Sequence, residues 1–200
     1  MRTLAIDTSG AACSIALFDG TALIASRHET IGRGHAEALI LWIAALPDGG
    51  RAERILVGCG PGSFTGVRVG IAAARALAIG WTATAAGVPS LALIAAQAGE
   101  PRVSVAIEGG HGEIFVQDFA NGSADTPLHS LGTDQAARAA KQPLVLGSAA
   151  ARLVARRGWG IARACDADAR QMLAIAAVPT VPPHPIYGRA ADARPMVAAT

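Results

Sequence analysis

Three short apolar-rich runs open the chain, the middle one alternating small or polar with apolar residues. Leu4-Ala-Ile-Asp7 reads as a first strand, Cys13-Ser-Ile-Ala-Leu-Phe18 as a second and Ala22-Leu-Ile-Ala-Ser26 as a third. Asp19-Gly20 joins the last two as a hairpin, because both positions accept positive φ. The period then changes. From His35 to Leu46 apolar residues recur at helical spacing, and Pro47 with Asp48-Gly-Gly50 ends the segment. Ile55-Leu-Val57 is a short apolar run, as in a buried strand. Gly58, Gly60, Pro61 and Gly62 break it, and a second helix runs on to about Ala78. Val88-Pro-Ser90 leads into a helix over Leu91–Ala98, with Ser90 placed to cap it.

At Gly99-Glu-Pro101 the pattern restarts. Val103–Ile107 and Glu113–Phe119 read as strands, with Asn121-Gly122 as the following turn and a weaker extended stretch near Leu128–Leu131. Thr133–Ala140 reads as helix, Leu144-Val-Leu146 as strand, Ala149–Arg156 as helix, and residues 168–177 as one more helix. Each half thus reads strand, strand, strand, helix, strand, helix. This predicts a duplicated α/β architecture with two lobes, residues 1–100 and 101–200.

The second helix departs from ordinary helix composition. Gly66, Gly70, Ala74 and Ala78 recur every four residues, beside an apolar stripe of Val67, Ile71 and Ala74. Glycine inside a helix costs about 1 kcal/mol relative to alanine, so the spacing implies close approach of another backbone. A helix apolar on nearly all sides is buried, within its own domain or against a partner. Arg68 and Arg75 interrupt it and exclude a membrane span.

The loop before this helix fits none of three familiar phosphate-binding and nucleophile motifs. A P-loop requires a lysine after its last glycine, and the only lysine is Lys141. The dinucleotide fingerprint fails because Thr65 stands where its third glycine belongs. The nucleophile elbow fails because Pro61, not glycine, precedes Ser63 by two. What remains is a glycine-rich turn into a helix, which either holds an anion through its amides or is simply tight. Ser63 and Thr65 are candidate caps.

Composition narrows the classes. The 200 residues are 52% hydrophobic and carry a net charge of +2, so a sizeable core forms and no strong basic footprint marks tight RNA binding by the chain alone. Cys13, Cys59 and Cys165 are widely spaced, with neither zinc nor disulfide spacing. The first residues run straight into a strand, with no signal peptide or membrane segment, and the expected location is the cytoplasm.

Gly60-Pro-Gly-Ser-Phe-Thr-Gly-Val-Arg-Val-Gly70 closely resembles the signature of the TsaB family, the bacterial accessory subunit of the tRNA threonylcarbamoyladenosine machinery. Pro185-Ile-Tyr-Gly-Arg189 resembles the family's C-terminal segment, with Gly188 where a bulkier residue is usual. The resemblance implies the actin-like fold (the sugar-kinase, Hsp70 and RNase H-like group), with two similar lobes. It implies a non-catalytic scaffold that pairs through helices of its first lobe with a catalytic TsaD-type subunit. The pair works with a TsaE-type ATPase to move threonylcarbamoyl onto the adenosine beside the anticodon in tRNAs reading codons that begin with A. On that reading Gly66, Val67, Gly70, Ile71, Ala74 and Ala78 form the partner interface. tRNA is met only through the complex, a homodimer is open when the chain is alone, and ATP and metal are expected on the partners, with weak nucleotide binding by this chain left open.

Other candidates are weighed beside that reading. In the actin-like fold a turn such as Asp7-Thr8-Ser9 contacts phosphate and its carboxylate supports magnesium; the plainer reading is a polar turn satisfying local backbone groups. Glu108-Gly109-Gly110 occupies the matching place in the second half, where relatives resemble Asp-Ala-Arg. His35-Ala-Glu37 resembles the family's His-Ser-Glu. The histidine pair four apart that binds metal in the related catalytic subunit is broken by Leu39. Competing readings are an ATP-dependent phosphotransferase of the same fold, which needs a working nucleotide site between the lobes, and a stand-alone peptidase, for which no nucleophile and base stand out.

Overall fold

The computed structural model describes residues 1–175 and 180–188. Strands β1 (Arg2–Asp7), β2 (Ala12–Asp19) and β3 (Ala22–Thr30) form a meander followed by helix α1 (His35–Ala44). Strand β4 (Arg54–Gly58), helix α2 (Phe64–Trp81) and strand β5 (Thr84–Val88) complete the first sheet, ordered β3-β2-β1-β4-β5. β1 runs antiparallel to β2 and parallel to β4, and β5 is parallel to β4.

The second half repeats this plan. β6 (Arg102–Glu108) and β7 (Glu113–Ala120) are antiparallel, and two short strands, β8 (Ser123–Ala124) and β9 (His129–Gly132), share the outer side of β7. Helix α4 (Thr133–Ala139), β10 (Leu144–Leu146), α5 (Ala150–Arg157) and β11 (Ile161–Arg163) follow, with β10 parallel to both β6 and β11. Two copies of one mixed-sheet unit in sequence make this the actin-like α/β fold.

Strand periodicity decides how the layers stack, since successive side chains face opposite sides of a sheet. In the first sheet Leu4, Ile6, Ile15 and Leu17 face α1 and α2, where they meet Leu39, Ile43, Val67 and Ile71. The alternate residues Ala5, Ala16 and Phe18 face the other way. In the second sheet Ala106, Ile114, Val116 and Val145 meet Leu153 of α5 and Ala136 of α4. Their neighbours Val105, Ile107, Phe115 and Leu146 enter the same core as Ala5 and Phe18. Helix α3 (Ser90–Ala95) lies in that shared core, with all six residues buried. The two lobes are therefore joined by a continuous apolar layer.

Four differences from the sequence reading have physical causes. β5 was not anticipated because Thr84-Ala-Ala-Gly-Val88 has little β-branched or aromatic character; pairing with β4 makes it a strand. β11 has three exposed residues on the sheet edge, too short for a periodic signal. The helix expected over 168–177 is, in its described part, a 3₁₀ turn at Ala169–Gln171; positions 176 and 177 lie outside the described residues. Finally, the chain returns to the first lobe after β11. The Ala169 amide donates to Ser14 Oγ at 2.9 Å. Val181 pairs with Gly87 of β5 as an antiparallel bridge, and the Ile186 amide donates to the Cys59 carbonyl. The boundary near residue 100 separates the two sheets, but the segment after 167 packs on the first. Among the described residues no helix is long and apolar enough to cross a membrane.

Candidate functional site

The glycine-rich stretch lies between β4 and α2 and rests on the turn that links β1 to β2. The Ser63 amide donates to the Ser9 carbonyl at 2.7 Å, and the Gly66 amide donates to Ser63 Oγ at 3.2 Å, so Ser63 is the cap of α2. The helix glycines follow from this packing. A Cβ at Gly66 would collide with the Thr8 carbonyl, and one at Gly70 would fall 2.6 Å from Thr8 Oγ1. Gly62 meets Ser9 in the same way. Thr8 Oγ1 in turn donates to the Gly66 carbonyl at 2.7 Å. The spacing does mark close backbone approach, but the backbone approached is that of the chain's own β1–β2 turn.

The residues expected at the partner interface are mostly enclosed in this chain. Gly66, Val67, Gly70, Ile71 and Ala74 are the buried residues of α2, and the partly buried Ala78 packs on the same cluster. Of the six only Ala78 keeps partial exposure. Helices α1 and α2 do carry exposed apolar side chains at other positions: Ile79 is 83% exposed, Leu41 70%, Phe64 62% and Ile40 51%, and others lie on β3, at β11 and near the chain ends. Composition could not separate the two faces of α2, because both are rich in small and aliphatic residues.

The Asp7-Thr8-Ser9 turn is equally enclosed, with all three residues buried. Asp7 Oδ1 accepts from the Ser9 amide at 2.9 Å and from Ser9 Oγ at 2.8 Å. Asp7 Oδ2 accepts from Ser90 Oγ at 2.8 Å, and Ser90 Oγ also accepts from the Gly60 amide at 3.0 Å. A Cβ at Gly58 would overlap the Asp7 carboxylate. Burial pushes the Asp7 carboxyl above the usual carboxylate range, against the lowering effect of its hydrogen bonds from Ser9 and Ser90. The hydroxyls and carboxylate that would meet a phosphate and its cation are spent on protein groups. The turn is a structural joint between β1, the glycine loop and α3. Ser90 is the first residue of α3, its hydroxyl belongs to that joint, and the cap position of the helix is Pro89.

The remaining candidates are placed plainly. Glu108 is exposed and pairs with Arg152 at 2.7 Å, and Gly109 leaves room for the Phe115 ring. His35 opens α1 beside the exposed Glu37, four residues before the fully buried Leu39, and its Nε2 has no partner among the described residues. No three His, Cys, Asp or Glu side chains gather as a metal-binding group among the described residues. Tyr187 lies on α2. Arg68 Nη2 donates to Tyr187 Oη at 2.7 Å, and the Arg68 guanidinium lies over the Phe64 ring at 3.2 Å from its centroid. A Cβ at Gly188 would enter the Phe115 ring, which accounts for glycine there. Arg189 lies outside the described residues.

Residues 29–163 match the family model of TsaD, the tRNA N6-adenosine threonylcarbamoyltransferase. The tRNA threonylcarbamoyladenosine biosynthesis protein TsaB of Escherichia coli (strain K12) is 37% identical over 129 residues, 60% of this chain and 55% of that protein. The chain belongs to the TsaB family. Its match spans about half the length of the curated E. coli member. Two solved Pseudomonas aeruginosa structures extend the likeness over the whole fold. One, YeaZ, is 25% identical with a TM-score of 0.78 over 94% of this chain and 100% of its own. The other, described as similar to peptidase YEAZ, is 27% identical with a TM-score of 0.80 over 94% of this chain and 99% of its own.

Proposed function

We propose that this chain is a non-catalytic scaffold of tRNA threonylcarbamoyladenosine biosynthesis in the cytoplasm. It pairs with a TsaD-type catalytic subunit, and the pair works with a TsaE-type ATPase. The product is threonylcarbamoyl attached to the adenosine adjacent to the anticodon. Membership of the TsaB family supports the pathway. The observation that carries the scaffold role is the set of exposed aliphatic and aromatic side chains on α1 and α2, Ile40, Leu41, Phe64 and Ile79. Large apolar side chains left exposed along two helices that pack on each other fit a surface that another protein covers. The pairing surface is accordingly the outer side of these helices, not the glycine stripe.

Two features weigh against a phosphotransferase. The layer between the lobes is filled by α3 and its apolar neighbours, and the β1–β2 turn is closed by its own hydrogen bonds. ATP and metal chemistry therefore fall to the partners. Light scattering on a sizing column tests the proposal, with this chain alone and mixed with the TsaD-type protein of the same organism. A one-to-one complex that displaces any homodimer is expected. A persistent monomer in the mixture would overturn it.

A further inference from the structure

The ends of α4 and α5 in the second lobe line an open depression of about 520 Å³. Arg138, Lys141, Arg156 and Arg157 line it with Trp159, against one carboxylate, Asp134. This is a local concentration of positive charge in a chain whose overall balance is only +2.

Some of these cations have structural duties. Arg157 donates to the carbonyls of Ala140 at 3.0 Å, Gln142 at 2.9 Å, Pro143 at 3.1 Å and Trp159 at 2.9 Å. Lys141 Nζ donates to the Arg138 carbonyl at 2.6 Å, which leaves two of its three protons for other acceptors. Arg156 pairs with Asp134. Among the described residues no carboxylate forms a salt bridge with Arg138 or Lys141. Capping of helix ends does not account for Trp159. The Arg157 guanidinium lies over its indole ring at 3.7 Å from the centroid, and its four carbonyl bonds hold that guanidinium still. The indole is thus braced on the wall of a basic depression with 48% of the residue exposed.

We propose that this depression is an RNA contact site, in which Trp159 stacks on an unpaired base while Arg138 and Lys141 meet the flanking phosphates. Aromatic stacking beside cations that track the backbone is the common chemistry of single-stranded RNA recognition. The site is a weak one that adds to the RNA affinity of an assembly. It deepens the tRNA-modification reading and rests on it for its biological ligand.

The test is fluorescence anisotropy of a labelled eight-nucleotide uridine RNA with the full chain at low salt. Wild type binds, and the dependence of log affinity on log salt falls when phosphate contacts are lost. Trp159→Ala weakens binding about tenfold. Arg138→Gln with Lys141→Gln also weakens it and reduces the magnitude of the salt slope by about 1.4, at about 0.7 per phosphate for single strands. Uridine monophosphate and inorganic phosphate are run as competitors. Equal competition by either at the same concentration would make this a small-anion pocket and overturn the proposal. So would absence of RNA binding by the wild type, or binding unchanged in both variants. Pairing with the TsaD-type subunit is measured on the same proteins. Intact pairing without RNA binding sinks only this proposal, and RNA binding without pairing sinks only the scaffold reading.

Discussion

Gly70→Ala asks whether α2 owes its glycines to its own lobe. Within a helix that substitution ordinarily gains about 1 kcal/mol. Here the new methyl carbon would lie 2.6 Å from Thr8 Oγ1 and 3.4 Å from Val57 Cγ2. Thr8 is 1% exposed, and its hydroxyl is held by the bond to the Gly66 carbonyl. Relief requires either a shift of α2, at about 1–3 kcal/mol for overpacking, or loss of a buried hydrogen bond, at about 1–3 kcal/mol. Subtracting the helix gain leaves a net loss of up to about 2 kcal/mol. At about 2–4 °C per kcal/mol for a chain of this size, that is a fall in Tm of up to about 8 °C. Urea unfolding followed by tryptophan fluorescence reads the change. The same substitution in a Thr8→Ala background should be neutral or stabilising by up to about 1 kcal/mol, because the obstructing oxygen is gone. Stabilisation of the Thr8-containing protein by the full helix gain would refute the packing argument. The stripe could then face a partner after all. Gly70→Leu exceeds what a shift can absorb and is expected to prevent folding.

Other expectations concern the partner surface and the buried joint. Ile79→Asp, at an 83% exposed position, should leave the unfolding curve unchanged and weaken pairing with the TsaD-type subunit about tenfold or more, as expected for a central apolar interface residue; titration calorimetry reads it. Ser90→Ala leaves Asp7 Oδ2 and the Gly60 amide without this partner and should cost about 2–4 kcal/mol in urea unfolding, the penalty of two unsatisfied buried groups. The Asp7 carboxyl is raised in the folded state by burial. Its contribution to stability is therefore greatest below its unfolded pKa and falls as pH rises through the folded value. Asp7→Asn should flatten that decline in a series of unfolding curves from about pH 4 to pH 8, the span above the ordinary aspartate value.

How much of this was legible in the sequence depended on whether a signal was local. The meander of β1, β2 and β3, both long helices and the restart near residue 100 follow from period and turn chemistry, and the structure has them. β5 and β11 exist because a neighbouring strand offers them an edge, so their own residues carry little sign of it. The return of the chain to the first lobe is similarly non-local. Val181 meets Gly87, and Ala169 meets Ser14, across separations that no periodicity encodes. The glycine spacing in α2 correctly announced close approach, yet it could not say which backbone approached. That required knowing that Thr8 and Ser9 sit beneath the helix. Trp159 was unremarked because its setting is made by Arg157 and by carbonyls of the α4–β10 connection.

The buried joint gives a physical reason for dividing the proposed labour among subunits. A phosphate site in this fold needs hydroxyls and amides free at the strand end, and a carboxylate able to face a cation. In this chain the same positions do the opposite. Asp7 is bound to Ser9 and Ser90, and Thr8 is bound to the helix that rests on it. Freeing them for a nucleotide would unseat α2 and α3 together, since Ser90 begins α3 and Gly66 lies in the first turn of α2. Of these, α2 also carries Phe64 and Ile79 of the proposed pairing surface, above the core of Val67, Ile71 and Ala74. A chain that keeps α2 fixed in this way gains a rigid face for a partner and gives up the loop mobility that nucleotide exchange requires. The closed turn and the exposed apolar helices are consequences of one packing arrangement.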